Sequence, residues 1–231
     1  MSATVPASSA KPVSAPRKPP HRFLFLLITE LVLIVGYPFT EGPEISAEVF
    51  RLLAVLVFCA ALYAVLGRGR VTLVAFLMGV PAIVVHIANA AGYFPQLQTP
   101  TVALGVLFLA FVTCIFIWAV ISAPSVTGDT LAGAVAAYLL IGITYGLAYG
   151  LLARVNPDSF RDTVRPDMVL QPGEFIFFSF VTLTTVGYGD IVPWSAHARS
   201  LVILESVTGI MYPAVLIGRL IGLHSSRRNS L

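Results

Sequence analysis

Apolar residues run through this chain in long unbroken blocks, not in the alternation of a half-buried strand. A helix needs about 20 apolar residues to cross a bilayer, and six blocks approach or reach that length: 23–39, 49–66, 71–91, 102–122, 131–153 and 198–222. Breaks separate them where helices should stop. They are Glu41-Gly-Pro-Glu44, Gly67-Arg-Gly-Arg70, the stretch from Pro95 to Pro100, and Pro124 to Thr130. A seventh apolar run, 175–183, is too short to span. Pro172 suits the first position of a helix and Glu174 suits its positive dipole end. The pattern therefore predicts a re-entrant helix over 172–184 that dips partway in and returns.

Composition agrees. The chain of 231 residues is 57% hydrophobic and 11% charged, where a soluble domain carries roughly a quarter charged residues. Such a chain cannot cover a globule with polar surface, which makes it an all-α membrane protein by expectation. Residues 1–20 are rich in Pro, Ser and Ala and predict a disordered tail. No cleavage site of small residues follows the first apolar block, which reads as a retained span and not as a signal peptide. Cys59 and Cys114 lie inside apolar runs and read as buried thiols. Nothing resembling a catalytic triad, a metal-ligand cluster or a phosphate-binding loop is present, so an enzyme is not expected, nor a nucleic-acid partner or an organic cofactor.

The charges are sorted by side. With six spans, Lys11, Arg17, Lys18, Arg22, Arg68, Arg70, Arg219, Arg227 and Arg228 share one face with a single acid, Asp129. The other face holds Arg51, Arg154, Arg161, Arg165 and Arg199 with eight acids: Glu41, Glu44, Glu48, Asp158, Asp162, Asp167, Glu174 and Asp190. The positive-inside rule puts both termini in the cytoplasm and the re-entrant loop on the outside. The net acidity of the outer face should concentrate cations there to a modest degree.

After the re-entrant helix comes Thr184-Thr185-Val186-Gly187-Tyr188-Gly189-Asp190. Non-helical backbone at membrane depth must be buried or line water. A dehydrated cation must regain the oxygens it loses from water, and successive carbonyls serve only if they point the same way. That requires alternating right- and left-handed dihedrals, and glycine adopts the left-handed ones at little cost. Gly187 and Gly189, spaced by one residue, meet the demand. The Thr185 hydroxyl can add a further oxygen ring, and Val186 and Tyr188 would turn away to brace the loop.

This string resembles the selectivity filter of potassium channels, whose carbonyl rings replace the ion's hydration shell. The match is complete over Thr185 to Gly189 and extends to Asp190. The resemblance implies a potassium site built by Thr185, Val186, Gly187, Tyr188 and Gly189, supported by Thr184 and Asp190. It implies a homotetramer, since one chain supplies one loop and the family uses four. It covers 131–222 well; over 23–122 it extends only to topology. The expected layout is a cytoplasmic tail (1–20), a four-helix unit (21–123), a pore domain (124–223) and a short cytoplasmic tail (224–231), in the plasma or bacterial inner membrane among lipids. The chain departs from the family's voltage-gated branch, because residues 101–122 carry no charge. A gating charge is worth about 2.3 kcal/mol per 100 mV, so steep voltage gating by this helix is not expected. In many relatives pore-helix aromatics with polar hydrogens hold the acid after the filter; Phe177, Phe178 and Phe180 offer none. Asp190 would need another partner, with Trp194 and Arg199 as candidates.

Other candidates concern gating. Gly209 sits where the family has its inner-helix hinge glycine, and Pro213 four residues on cannot donate to its carbonyl. The pair predicts a kink, either a hinge or a fixed bend. Glu205, one turn before, is a carboxyl inside the membrane, either structural or a gating group bonded to Thr184 or the pore helix. Glu30 lies roughly 12 Å and His86 roughly 22 Å from the inner edge, at about 1.5 Å per residue. A direct pair is thus not expected, though each suits pH control as well as a bundle role. Two other classes fit less well. A non-conducting scaffold need not keep both filter glycines, and a weakly selective cation channel would usually show an altered filter.

Overall fold

The computed structural model describes residues 22–36, 45–67, 69–90, 92–93, 95–125 and 127–228. The expected N-terminal tail and residues 229–231 lie outside them. Among the described residues seven α-helices form: α1 (Arg22–Gly36), α2 (Ile45–Val65), α3 (Arg70–Ala90), α4 (Gln98–Ile121), α5 (Gly128–Val155), α6 (Pro172–Leu183) and α7 (Ala196–Arg228). Two short 3-10 turns, Pro95–Leu97 and Pro157–Ser159, precede α4 and follow α5. Among the described residues four helical stretches are long and apolar enough to cross a membrane: Arg70–Asn89, Gln98–Ile121, Gly128–Val155 and Ala196–Arg219. The described apolar parts of α1 and α2 are shorter.

Four details depart from expectation, the first being that Cys59 and Cys114, expected as buried thiols, are exposed in the single chain. The chain is mostly helical but not all-α: β1 (Phe160–Asp162) pairs antiparallel with β2 (Ile191–Pro193), Arg161 lying opposite Val192. These strands flank the loop, whose ends need partners once they leave the helices. The stretch from Pro95 to Pro100 is not a plain loop, because it turns directly into α4. Pro100 falls in that helix's first turn, where its missing N–H costs nothing. Residues 224–228, expected as a tail, continue α7.

α5 organises the molecule, packing against α1, α4, α6 and α7. The first four helices pack in sequence, and the last and first of them close onto α5. α4 is apolar on all sides, yet Thr101, Gly105, Phe108, Val112, Phe116 and Val120 form one buried stripe at helical spacing. Phe108 stacks on Phe58 of α2 at 5.5 Å and Phe116 meets Phe23 of α1 edge-on at 5.0 Å. Thr127 caps α5 by accepting from the Thr130 N–H at 3.2 Å.

α5 lies close against α6. A Cβ on Gly146 would stand 2.8 Å from the Ile176 Cα and 3.1 Å from its backbone nitrogen. One on Gly142 would stand 2.7 Å from the Phe180 ring. The ring can turn aside, but the Ile176 backbone cannot without moving the re-entrant helix. Gly146→Ala should therefore lower stability by about 1–3 kcal/mol, as overpacked cores do. Thermal unfolding in detergent, with Gly128→Ala as an open-space control, checks this.

Candidate functional site

The site is the loop 184–190 and what holds it. α6 begins at Pro172, as its sequence requires. The Glu174 carboxylate accepts from the Gln171 N–H at 2.6 Å and so caps the helix start. At its far end α6 unwinds but keeps its loop: Val181 O accepts from Val186 N at 2.9 Å and from Gly187 N at 3.3 Å. Thr184 donates its hydroxyl to Phe180 O at 2.6 Å.

The dihedral alternation is present. φ is +58° at Gly187 and +78° at Gly189. It is also +61° at Thr185, which the sequence reading did not foresee. A β-branched residue is an outlier there, at a cost on the order of 1–3 kcal/mol. Tyr188 lies parallel to the Phe177 ring of α6, centroids 6.3 Å apart. Residues 184–189 are exposed in the single chain, Tyr188 at 71% and Val186 at 53%.

The outer end is fastened by a segment that sequence reasoning passed over. Thr163, just after β1, donates its hydroxyl to Gly189 O at 2.8 Å and lies 3.1 Å from Asp190 O. Its N–H donates to Asp190 O at 2.7 Å. Next to it the buried Asp162 carboxylate accepts from the Val164 and Arg165 N–H groups at 2.8 and 2.7 Å, and from Arg165 Nε at 3.0 Å. Arg165 reaches on to Glu174 at the start of α6. A continuous chain of contacts thus joins the far end of the loop 184–190 to the first turn of α6. The Asp190 carboxylate accepts from the Ile191 N–H at 3.0 Å. Neither expected partner holds it: the Trp194 ring carries the Arg161 guanidinium at 3.6 Å, and Arg199 Nε donates to Pro193 O at 3.4 Å. The only advance signal was the alternation of acids and bases across 158–174.

Behind α6, Tyr149, Phe160, Phe175 and Phe178 pack ring against ring at 5.2–5.7 Å. Within this layer lies Glu205 of α7, fully buried. Its carboxyl contacts the Ser179 hydroxyl of α6 and the Tyr149 hydroxyl of α5, not Thr184. Ser179 Oγ also lies 2.6 Å from Gly142 O. α7 runs as one helix through Gly209 and Pro213. Gly209 is a contact point: a Cβ there would overlap the Leu183 carbonyl at the end of α6. Further along, Tyr212 donates to Ala134 O at 2.8 Å and Arg219 Nε donates to Ile121 O, at the end of α4, at 3.0 Å.

The remaining candidates lie in the four-helix unit. Neither carboxyl oxygen of the fully buried Glu30 has a hydrogen-bond partner among the described residues, so Glu30 and His86 are not paired. One turn after His86, Asn89 Nδ2 donates to Thr101 Oγ1 at 3.3 Å, tying α3 to α4.

With this geometry in place, the relatives can be set beside it. Residues 134–224 match the family model described as an ion channel. An 83-residue stretch is 34% identical to the two-pore potassium channel 4 of Arabidopsis thaliana, covering 36% of this chain and 27% of that protein. The chain thus matches about a quarter of that relative's length. No solved structure matches the chain. Both matches are to channels and neither is to an enzyme. Residues 134–224 are thus similar to ion channels, with part of the chain similar to a potassium channel, and the four long apolar helical stretches among the described residues fit a multi-pass membrane protein.

Two predictions follow from these side chains. The backbone N–H groups of Arg165 and Val164, with the Arg165 side chain, hold the Asp162 carboxyl below the usual carboxylate range. Its contribution to stability is full above the ordinary Asp value and is lost as pH falls through the lowered one. Melting temperature should therefore stay flat from neutral pH to about pH 4 and drop below it, a drop that Asp162→Asn should blunt in thermal scans. Glu30→Leu, which removes a buried acid with no hydrogen-bond partner among the described residues, should raise stability by about 1–3 kcal/mol. A lowered melting temperature in that variant would reveal a partner for Glu30.

Proposed function

We propose that the chain is one subunit of a homotetrameric potassium-selective channel that conducts K+ passively. The observation that carries this reading is the alternation of φ sign through Thr185, Gly187 and Gly189, which aims successive carbonyls one way. In this reading the carbonyls of Thr185, Val186, Gly187 and Tyr188 replace the hydration shell, with the Thr185 hydroxyl at the inner site. Gly189 closes the outer end with its carbonyl held by Thr163.

Tetramerisation is supported by the exposure of the whole filter stretch in the single chain. A quarter of a ring cannot enclose an ion, and the exposed apolar surface of α7, including Ile203, Val207 and Ile210, needs covering. Six spans with both termini cytoplasmic fit the sorting of charge along the chain, with Thr184 and Asp190 as filter supports. The membrane is the plasma or bacterial inner membrane, and the partners are K+, lipid and three further copies. The uncharged α4 argues against steep voltage gating. Glu205, Gly209, Pro213, Glu30 and His86 are the gating candidates, the first two being in contact with the pore helix.

Flux through purified protein in liposomes tests this. K+ flux should far exceed Na+ flux and be lost in Gly187→Ala, whose added methyl has open space but a left-handed φ. Equal K+ and Na+ flux would favour a weakly selective channel, and no flux across pH and lipid conditions would favour a scaffold.

A further inference from the structure

The hydrogen bonds around Ser179 require one more proton than its hydroxyl can supply. Ser179 Oγ carries a single hydrogen, yet it lies 2.6 Å from Gly142 O and in hydrogen-bond contact with Glu205 Oε1. Gly142 O can only accept. An ionised Glu205 could also only accept, so one of the two oxygens would face Ser179 with no hydrogen between them. Tyr149 cannot relieve this, because its hydrogen serves the other carboxyl oxygen, Oε2. Ser179, Tyr149 and Glu205 are all fully buried, and a polar contact without its hydrogen is most costly in such a place.

A proton on Oε1 resolves the count. Glu205 then donates to Ser179, Ser179 donates to Gly142 O, and Tyr149 donates to Glu205 Oε2. Three hydrogens meet three acceptors. The neighbouring groups offer no compensating positive charge. Towards Glu205 α5 presents Tyr138, Tyr145 and Tyr149, while its Asp129 and Arg154 are exposed in its first and last turns. α6 presents Ser179, and its one acid, Glu174, is held by Arg165 at the far end. The 3-10 turn after α5 carries the exposed Asp158, and α7 itself carries Tyr212 and, two turns before Glu205, the exposed His197 and Arg199. Among the described residues no Lys, Arg or His forms an ion pair with Glu205.

We propose that Glu205 is held as a neutral carboxylic acid, and that its proton fastens α7 to α6 and, through Ser179, to α5. Glu205 is a positioning residue, since it touches no filter residue. Losing the proton leaves Ser179 between two acceptors, so α6 must release either the Gly142 carbonyl or α7. The consequence for ion flow rests on the proposed channel function; the proton itself does not.

Infrared difference spectra of the protein in lipid bilayers, against Glu205→Gln, test the proton directly. The expected result is a protonated-carboxyl carbonyl band present from about pH 6 to 8, where an ordinary glutamate is ionised. Ser179→Ala should shift that band to higher frequency, because the acid loses its acceptor. No band lost in Glu205→Gln, or a band unmoved by Ser179→Ala, overturns the proposal. In flux assays Glu205→Gln should stay within about twofold of the parent, its amide donating and accepting as the acid does. Glu205→Ala should lose about tenfold, the equivalent of one buried hydrogen bond. Equal losses in the two variants overturn the fastening role. A parent protein without flux would sink the channel reading and leave the infrared result to decide the proton.

Discussion

A backbone that leaves its helix at membrane depth has no water to turn to, and each of its N–H groups must find an acceptor within protein. That constraint organises the pore segment. The Val181 carbonyl at the end of α6 accepts from both Val186 and Gly187, holding the loop folded back over the helix that delivers it. This works only if α6 itself cannot move. Hence the glycine contacts that let α5 lie against the α6 backbone, the aromatic layer behind it, and Leu183 resting on Gly209 of α7.

The loop is restrained at both ends by different chemistry. Its inner end is set by helix carbonyls and close packing in an apolar environment. Its outer end is set by Thr163 and the Asp162–Arg165–Glu174 chain at the aqueous face. An exposed ion pair alone contributes little. Here Asp162 is buried and also accepts from two backbone N–H groups, so the turn that presents Thr163 is fixed by more than charge. The end of the loop that leads to β2 is thus anchored from the segment before α6 and not from α6 itself.

Much of the helical layout was legible because it follows from local rules. Long apolar runs, Pro172 and Glu174 at a helix start, and glycines spaced by one are each readable from a few neighbouring residues. What stayed hidden depends on residues far apart in sequence. Thr163 meets Gly189 across 26 positions and Tyr149 meets Glu205 across 56, and nothing in either short stretch announces the other. Glu205 stood out as a carboxyl among apolar residues, but its partners did not. Gly209 drew attention as a place for bending, whereas the structure gives it a steric reason that only the position of Leu183 could reveal. The strands β1 and β2 are three residues each, too short to leave a periodic signal.

The left-handed Thr185 gives the motif two unlike kinds of fragility. At 187 and 189 the chain carries the residue its backbone prefers, and a side chain of any sort is the intrusion. At 185 every conformational preference favours glycine, yet the position holds a branched side chain with a hydroxyl. Relaxing that backbone with glycine would discard the oxygen, and keeping the shape with valine would retain the strain and discard the oxygen as well. Serine alone among the common residues keeps the hydroxyl while shedding the branch. If the loop binds K+ as proposed, three alternating positions of one short loop are held by opposite requirements, two by the conformation they must reach and one by the atom it must bring.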